Sequence, residues 1–360
     1  MKILILTQKV DKTDSLLGFF HRWIEEFAKQ CEHVVVICLE EGEHDLPKNV
    51  KVLSLGKENY RPSVIGYQII KRVKYIYNFY RYIWRERNNY DYVFVHMNRE
   101  YVLLGGLLWR ILGKKIALWW VHFETPLALR LALLFSHAVF TASKESFQLR
   151  SRKARIVGHG IDIARFERTA PYILKEPIQI LYVGKITPIK NIHILVESGK
   201  LLKNSWDKTF VITCVGPTTT KENEGYKKEL KERILQYGLQ RNIRFTGAVP
   251  YTKIREAYEA AHVVVNLCPT GGIDKMVLES AASKVPVIVS NETFRAPFGK
   301  YAEELLYPYQ DAPALAEKIK NLFKKNETDI ARMREFLYTE SRNHSLQNLI
   351  RNIVHTMKKL

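Results

Sequence analysis

Cysteine is scarce in this chain of 360 residues: Cys31, Cys38, Cys214 and Cys268 lie far apart, with no CxxC pair and no histidine at metal-ligand spacing. That argues against a disulfide framework or a zinc site and predicts buried, reduced thiols in a cytosolic protein. An uninterrupted membrane span is also missing. The longest apolar stretch, Ile116–Phe140, is broken by His122, Glu124 and Arg130, whereas a span needs roughly 20 mostly apolar residues. The opening MKILILTQKV turns polar too soon for a secretory signal, so a cytoplasmic location is expected. No period repeats along the chain, no segment is of low complexity, and no Asp-x-Asp pair occurs.

What is present is ordinary globular chemistry with an excess of positive charge. Hydrophobic residues make up 46% and charged residues 26%, values that exclude wholesale disorder. The length favours two domains. The formal net charge is +19, and residues 51–170 alone carry 21 basic against 8 acidic side chains. Such an imbalance attracts an anionic partner: nucleic acid, an anionic membrane surface or a phosphorylated small molecule.

Short β-rich runs alternate with longer helical periods, the pattern of parallel sheets with crossover helices. KILILT, HVVVICL, YVFVH, KIALWWVH and HAVFTA read as strands of a first sheet, with helices over Gly18–Gln30, Ser63–Arg87, Tyr101–Leu112 and Ser143–Ser151. A second series follows: IQILYVG, FVITCVG, NIRFTG, VVVNL and VPVIVS. Its helices fall near Asn191–Leu202, Lys221–Tyr237, Ile254–Ala261 and Met276–Ser283. After Tyr307 the chain reads as three more helices, Ala312–Asn321, Asp329–Arg342 and Ser345–Lys359. Arg165–Pro177, charged and aperiodic, reads as the interdomain linker. The expected fold class is α/β, with two doubly wound Rossmann-like domains, 1–168 and 169–344, and a C-terminal helix, 345–360, packing back on the first. Tandem doubly wound domains place a ligand cleft at the carboxyl ends of their strands.

Two segments carry phosphate and hydroxyl chemistry. YVGKITPIKNIHILVES, from Tyr182, runs strand, glycine, loop and helix, with Lys185 and Lys190 just before the helix N-terminus. Two ammonium groups beside free helix amides suit a diphosphate. The plainer reading is a solvated loop with two lysines. LCPTGGIDKMVLESAASKVPVIVSN, from Leu267, places a Gly271-Gly272 turn before a helix that carries Glu279. Glycines admit a ligand close to the backbone, and a carboxylate there can accept two hydroxyl hydrogen bonds, as from a ribose. A solvated acidic residue is the plainer alternative.

In this order and spacing the two segments resemble the nucleotide-sugar domain of retaining GT-B glycosyltransferases of family 4, the glycosyl transferases group 1. That family's pattern is Gly-Arg-x-x-x-x-Lys-Gly/Asn followed by Glu-x7-Glu. Gly184 and Lys190-Asn191 match it, and Lys185 replaces the arginine. RFTGAVPY with IREAYEAAHVVVN resembles the intervening segment, which adds Gly247 and Val249 to the donor-binding set. Leu17-Gly18-Phe19 resembles the N-terminal glycine loop, and IVGHGID, residues 156–162, resembles the approach to the linker.

The resemblance implies a retaining hexosyltransferase that uses a UDP- or GDP-sugar. It implies front-face displacement with no enzyme nucleophile, no cofactor and no required divalent metal. Lys185, Lys190 and helix amides then neutralise the leaving diphosphate. It also implies a role for His122, at the end of the strand KIALWWVH, facing the donor sugar and leaving phosphate. His96 and His159 are weaker candidates. The family's first glutamate falls on Gly271 here. The Gly271 and Gly272 amides with Asp274 are therefore expected to recognise sugar hydroxyls, with Lys275 near the diphosphate and Met276 and Glu279 completing the set. Alternatively, Asp274 caps the helix.

Ser63–Arg87 reads as one amphipathic helix, with Lys71, Lys74, Asn78, Arg81 and Arg85 on one face and Ile69, Val73, Ile76, Tyr80 and Ile83 on the other. It packs on the core, and its cations suit anionic lipid. No nucleic-acid motif accompanies them, so nucleic acid is not an expected partner. The acceptor is expected to be a glycan or a lipid-linked sugar, and the station peripheral on the inner face of the membrane. Two alternative readings stay open: a sugar-nucleotide epimerase of the same fold, and a non-catalytic basic module.

Overall fold

The computed structural model describes residues 1–59, 67–122 and 124–360, with backbone only for 67–70. Two units divide the chain: Met1–Gly160 with Leu346–Leu360, and Ile161–Ser345.

The first unit is a seven-stranded sheet in the order β3-β2-β1-β4-β5-β6-β7. Its strands are β1 (Lys2–Val10), β2 (His33–Glu41), β3 (Val50–Ser54), β4 (Tyr92–His96), β5 (Lys115–Trp119), β6 (Ala138–Thr141) and β7 (Ala154–Ile156). Every pairing is parallel. Crossovers α1 (Phe19–Gln30), α2 (Tyr67–Arg85), α3 (Arg99–Ile111) and α4 (Leu127–Phe135) cover the two faces. Strand side chains alternate between faces. Ile3 and Ile5 therefore pack with Phe20, Trp23 and Phe27 of α1, while Leu4 and Leu6 pack with Phe79, Ile83 and Trp109 on the other side.

The second unit is a five-stranded parallel sheet in the order β10-β9-β8-β11-β12. Its elements are α5 (Ile163–Phe166), β8 (Ile178–Val183), α6 (Ile192–Ser205), β9 (Phe210–Val215), α7 (Lys221–Gln236), β10 (Ile243–Gly247), α8 (Ile254–Ala260), β11 (Val263–Asn266), α9 (Lys275–Ala282) and β12 (Val287–Val289). Four helices follow: α10 (Arg295–Phe298), α11 (Ala302–Leu305), α12 (Ala312–Leu322) and α13 (Glu327–Ser341). The last helix, α14 (Leu346–Lys358), returns to the first unit, where Leu349, Ile350 and Ile353 join the α1 core. At Gly160, φ is +79°, and a β-carbon would come within 2.3 Å of Leu349 Cδ2.

Four expectations change. The boundary falls at Gly160–Ile161 rather than after 168, because Phe166 packs on Tyr251 and Tyr258 with ring centroids 6.0 and 5.6 Å away. The expected linker is strapped onto the second unit: the Tyr172 hydroxyl donates to His262 O at 2.8 Å, and Arg334 lies 3.9 Å over the Tyr172 ring. Ser143–Ser151 is not a helix. The Ser143 hydroxyl takes the Ser146 amide at 3.2 Å, a side-chain bond that competes with helical pairing. Among the described apolar side chains of α2, only Phe79 and Ile83 are buried, and Val73, Ile76 and Tyr80 of the expected core face are exposed. Residues 63–66 and the Ile69 side chain lie outside the described residues. Among the described residues, no helix is long and apolar enough to cross a membrane.

Candidate functional site

The turn after β8 is fixed before any ligand arrives. The Gly184 amide donates to Val215 O at 2.9 Å and the Ile186 amide to Pro217 O at 2.9 Å, stitching this loop to the one after β9. That approach requires glycine at Gly216, where φ is +150° and a β-carbon would sit 1.9 Å from Gly184 O. The Tyr182 hydroxyl, fully buried, donates to Lys185 O at 3.0 Å. The Lys185 side chain itself is exposed.

A short 3₁₀ turn over Pro188–Lys190 leads to Asn191, left-handed at φ 49°. Asn191 is buried and clamped: its Nδ2 donates to Leu267 O at 3.2 Å and to the Tyr309 hydroxyl at 2.9 Å, and Gln310 Nε2 donates to its Oδ1 at 3.1 Å. The clamp sets the start of α6 and aims the preceding lysine. Lys190 Nζ lies 2.9 Å from Cys268 Sγ and 3.5 Å from Asp274 Oδ1. Burial opposes the charge on Lys190, yet the Asp274 carboxylate and the Cys268 sulfur outweigh it and hold this ammonium above the usual lysine range. Burial pushes the Cys268 thiol up to about 11, with Asp274 adding to the effect. Cys268 therefore acts as a neutral contact to the ammonium at neutral pH.

The partner loop, between β11 and α9, is pinned from both sides. Asn266 Oδ1 accepts from the Cys268 amide at 3.2 Å, and Ser290 Oγ donates to Cys268 O at 2.9 Å. Asn291 Nδ2 donates to Gly272 O at 2.6 Å, and the Glu292 amide donates to Thr270 Oγ1 at 3.1 Å. Gly271 and Gly272 are half-buried. Asp274 occupies the N-cap of α9, but its side chain makes no capping hydrogen bond. Its carboxylate faces Lys190 instead, so the capping alternative is not realised. Met276 is buried, and its Sδ accepts from Asn266 Nδ2 at 3.4 Å.

Lys275 and Glu279 form a second cluster. Glu279 is 5% exposed, its Oε2 accepts from the Tyr258 hydroxyl at 2.9 Å, and its Oε1 pairs with Lys275 Nζ at 3.0 Å. Lys275 also lies 4.4 Å over the Tyr251 ring. Burial lowers the Lys275 pKa against the pull of Glu279. The ammonium expected near a diphosphate is thus committed to a buried carboxylate. Val249 lines a separate groove of about 280 Å³ between the sheet and α8, with Thr213, Thr246, Arg244 and Lys253. Gly247, at φ +76°, accepts the Gly216 amide at 2.9 Å.

On the first unit, Gly18 is the N-cap residue of α1. β5 stops at Trp119, so His122 lies beyond the strand it was expected to end. His122 is exposed; its amide donates to Ser146 O at 3.0 Å, and its Nδ1 accepts from the Glu124 amide at 3.1 Å. His96 is a core residue, stacked on Phe20 at 4.0 Å. His159 packs edge-on to Trp119 at 6.4 Å. Among the described residues, one group has metal-ligand atoms close together: His21, Glu25 and Asp45. They already pair with one another at 3.1 Å, and Asp45 also meets Lys12 at 3.3 Å.

Sequence reasoning found Lys190 and Asp274 but passed over Cys268, Tyr258 and the Tyr309–Gln310 clamp. The one available signal was the position of Cys268, just past the end of a buried strand and ahead of a Gly-Gly turn.

Residues 165–339 match the sequence profile of the family described as glycosyl transferases group 1. The chain is 27% identical over 225 residues to a D-inositol 3-phosphate glycosyltransferase of Corynebacterium urealyticum, covering 58% of this chain and 52% of that protein. It is 23% identical over 159 residues to the O-antigen chain mannosyltransferase RfbU of Salmonella typhimurium, covering 44% and 41%. These matches span about half the length of the curated relatives. Among solved structures, Anabaena Alr3699/HepE in complex with UDP and glucose superposes with a TM-score of 0.76 at 17% identity over 100% of both chains. The fold class is therefore the α/β GT-B class expected from the resemblance.

Proposed function

We propose that this chain, which belongs through residues 165–339 to the glycosyl transferases group 1 family, moves a hexose from a nucleotide-sugar donor to a glycan or lipid-linked acceptor with retention of configuration. The observation that carries the reading is Lys190, whose ammonium is held in place by Cys268 Sγ at 2.9 Å and Asp274 at 3.5 Å in front of α6. An anion arriving there meets a preorganised cation and the amides of a helix start, with no reorganisation needed at the moment of bond cleavage. The likeness to a protein seen with UDP and glucose supports a UDP-sugar as donor.

In this reading the bond from the anomeric carbon to the diphosphate oxygen breaks while the acceptor oxygen attacks from the same face. The acceptor proton passes to the departing phosphate. Lys190 and the exposed Lys185 stabilise the leaving charge, and no divalent metal or cofactor is required. Asp274 and the amides of Gly271 and Gly272 are assigned to the sugar. A peripheral cytoplasmic station on anionic membrane fits the basic excess of residues 51–170.

Calorimetry against UDP-, GDP- and ADP-sugars, followed by NMR of the product anomer, tests the reading. A bound donor, transfer that persists in EDTA, and a product keeping the donor's anomeric configuration are expected. Donor turnover to an epimeric nucleotide sugar without acceptor would replace it by the epimerase reading.

A further inference from the structure

The crossovers of the first unit leave an apolar surface that their own fold does not use. On α3, Leu104, Leu107 and Ile111 recur at helical spacing and are exposed, Leu107 by 62% and Ile111 by 73%. On α4, Leu127, Leu131 and Leu134 do the same, Leu127 at 71% and Leu134 at 68%. On α2 the stripe is Val73, Tyr77, Tyr80 and Trp84. The three helices form one layer. The Tyr80 hydroxyl donates to Leu104 O at 2.8 Å, and Arg110 donates to Phe135 O at 2.9 Å and Leu134 O at 3.3 Å. Scattered exposed leucines need no explanation, but apolar side chains on three joined helices do.

Charge selects the occupant. Neither α2 nor α4 contains a single Asp or Glu, and α3 contains only Glu100. Exposed Arg72, Lys74, Arg81 and Arg130 are interspersed with the apolar stripes. In α2, Lys74, Arg81 and Arg85 sit beside the Val73–Tyr77–Tyr80–Trp84 stripe, spaced about two turns and then about one turn apart. Apolar residues among cations, with Glu100 the one carboxylate on the three helices, suit a surface whose outer layer is anionic and whose interior is hydrocarbon.

We infer that the outer faces of α2, α3 and α4 insert as one surface into an anionic bilayer, the leucines of α3 and α4 entering the acyl region and the α2 cations resting on the headgroups. This deepens the proposed peripheral station and rests on that reading for the acceptor, not for the geometry. It also changes the expected salt response. Screening removes electrostatic attraction over a Debye length, whereas apolar insertion survives it. Binding therefore weakens with salt but is not released.

Sedimentation with vesicles of phosphatidylcholine alone, or with phosphatidylglycerol added, is the test. The full chain should bind the anionic vesicles and keep a substantial fraction bound at high salt. The triple variant Leu107→Glu/Ile111→Glu/Leu131→Glu should lose at least about tenfold in vesicle affinity. Lys74→Glu/Arg81→Glu should keep high-salt binding but lose the preference for anionic over neutral lipid. Thermal melting and donor calorimetry on the same variants report folding, since all five positions are exposed and outside the donor loops. Complete release of the wild type at high salt overturns insertion. A dimer in sedimentation velocity that the triple variant dissociates, with no vesicle binding by the wild type, overturns it in favour of a second copy. Vesicle binding without any nucleotide-sugar binding would instead sink the proposed function and leave this surface standing.

Discussion

Each unit carries a lysine where its first strand hands over to the helix that follows it, and the two lysines have opposite surroundings. Lys9, near the end of β1, meets Asp11 at 3.3 Å, Asp14 at 2.9 Å and Glu40 at 3.0 Å. Burial opposes its charge, but Asp14 and Glu40 hold it above the usual lysine range. Asp14 in turn accepts the Leu16 and Leu17 amides at 2.8 Å, so the loop before α1 is an internal knot. Lys190, before α6, has one carboxylate at 3.5 Å and a thiol. In the first unit three carboxylates outnumber two ammonium groups, since Lys57 also meets Glu40 at 3.0 Å; in the second, the charges are even. The same topology has made a carboxylate-rich joint in one place and, in the proposed reading, a landing point for an anion in the other.

The largest effect follows from the backbone that carries the second loop. Gly216→Ala puts a β-carbon 1.9 Å from Gly184 O, and the atom it meets is backbone, so no flexible side chain can yield. The expected cost is about 4 kcal/mol or more, the class of change tied to special backbone conformations. A denaturant melt should show the loss; a cost under about 1 kcal/mol would mean that the two loops do not depend on each other.

Lys190→Ala should come next. Hydrogen bonds to charged groups are worth roughly 1.5–3 kcal/mol, so donor affinity should fall about 10- to 150-fold, with transfer nearly abolished. Lys185→Ala should follow the same course less completely. Lys9→Ala is the contrast: it leaves Asp11 and Asp14 without an ammonium partner while Glu40 keeps Lys57, costs stability and leaves donor affinity unchanged. Equal donor affinity in wild type and Lys190→Ala by calorimetry would collapse the distinction between the two loops.

How much of this was legible depended on where the information lies along the chain. The buried strands announced themselves through apolar runs, and the loop before α6 through its glycine, lysines and helix start. What escaped is either edge or distant. β3 and β7 are short edge strands with no fully buried side chain, and β7 is Ala-Arg-Ile, with no apolar run to find. α4, LALRLALLF, is so apolar that it merged with the flanking strands into one stretch. The clamp on Asn191 comes from Tyr309 and Gln310, over a hundred residues away, and no local spacing encodes that meeting. Asp274 was visible, but its choice between cap and ion pair is a side-chain rotamer, which a sequence does not carry.

The two units also share one device, which makes a control for the lysine contrast. In each, a histidine directly precedes a strand and clips it to its neighbour. His137 donates its amide to Ile116 O at 2.7 Å and accepts the Ile116 amide at Nδ1 at 2.9 Å; His262 does the same with Gln179 at 2.8 and 3.0 Å. Accepting at Nδ1 requires the neutral ring. Burial lowers both pKa values, that of His137 to about 4. A folded pKa below the unfolded 6.5 means this stabilisation is complete above pH 6.5 and is lost as pH falls toward 4. Melting temperature should decline across that window, and His137→Asn and His262→Asn should each flatten the decline. If neither variant changes the slope, the clips do not titrate with folding.

Asp274→Asn is the smallest change and the sharpest. The Asp274–Lys190 pair is partly exposed, at 23% and 32%, and 3.5 Å long, so its contribution to stability should be at most about 1 kcal/mol. No capping hydrogen bond is lost, because the aspartate makes none, and asparagine is itself a good N-cap residue. Removing the carboxylate leaves Lys190 with Cys268 alone, tilting the second loop from even charge toward a net cation and further from the carboxylate-rich first. Free UDP should therefore bind as well as before or a few-fold more tightly, about 0.5–1 kcal/mol at this exposure. If the carboxylate also takes sugar hydroxyls, transfer slows and discrimination between epimeric donors blurs while UDP affinity is kept. The two roles then separate in one variant: UDP affinity reads the pairing with Lys190, and donor preference reads the sugar. Normal transfer with unaltered preference would confine Asp274 to the lysine; weaker UDP binding would show that the pair positions Lys190 for the diphosphate rather than competing for it.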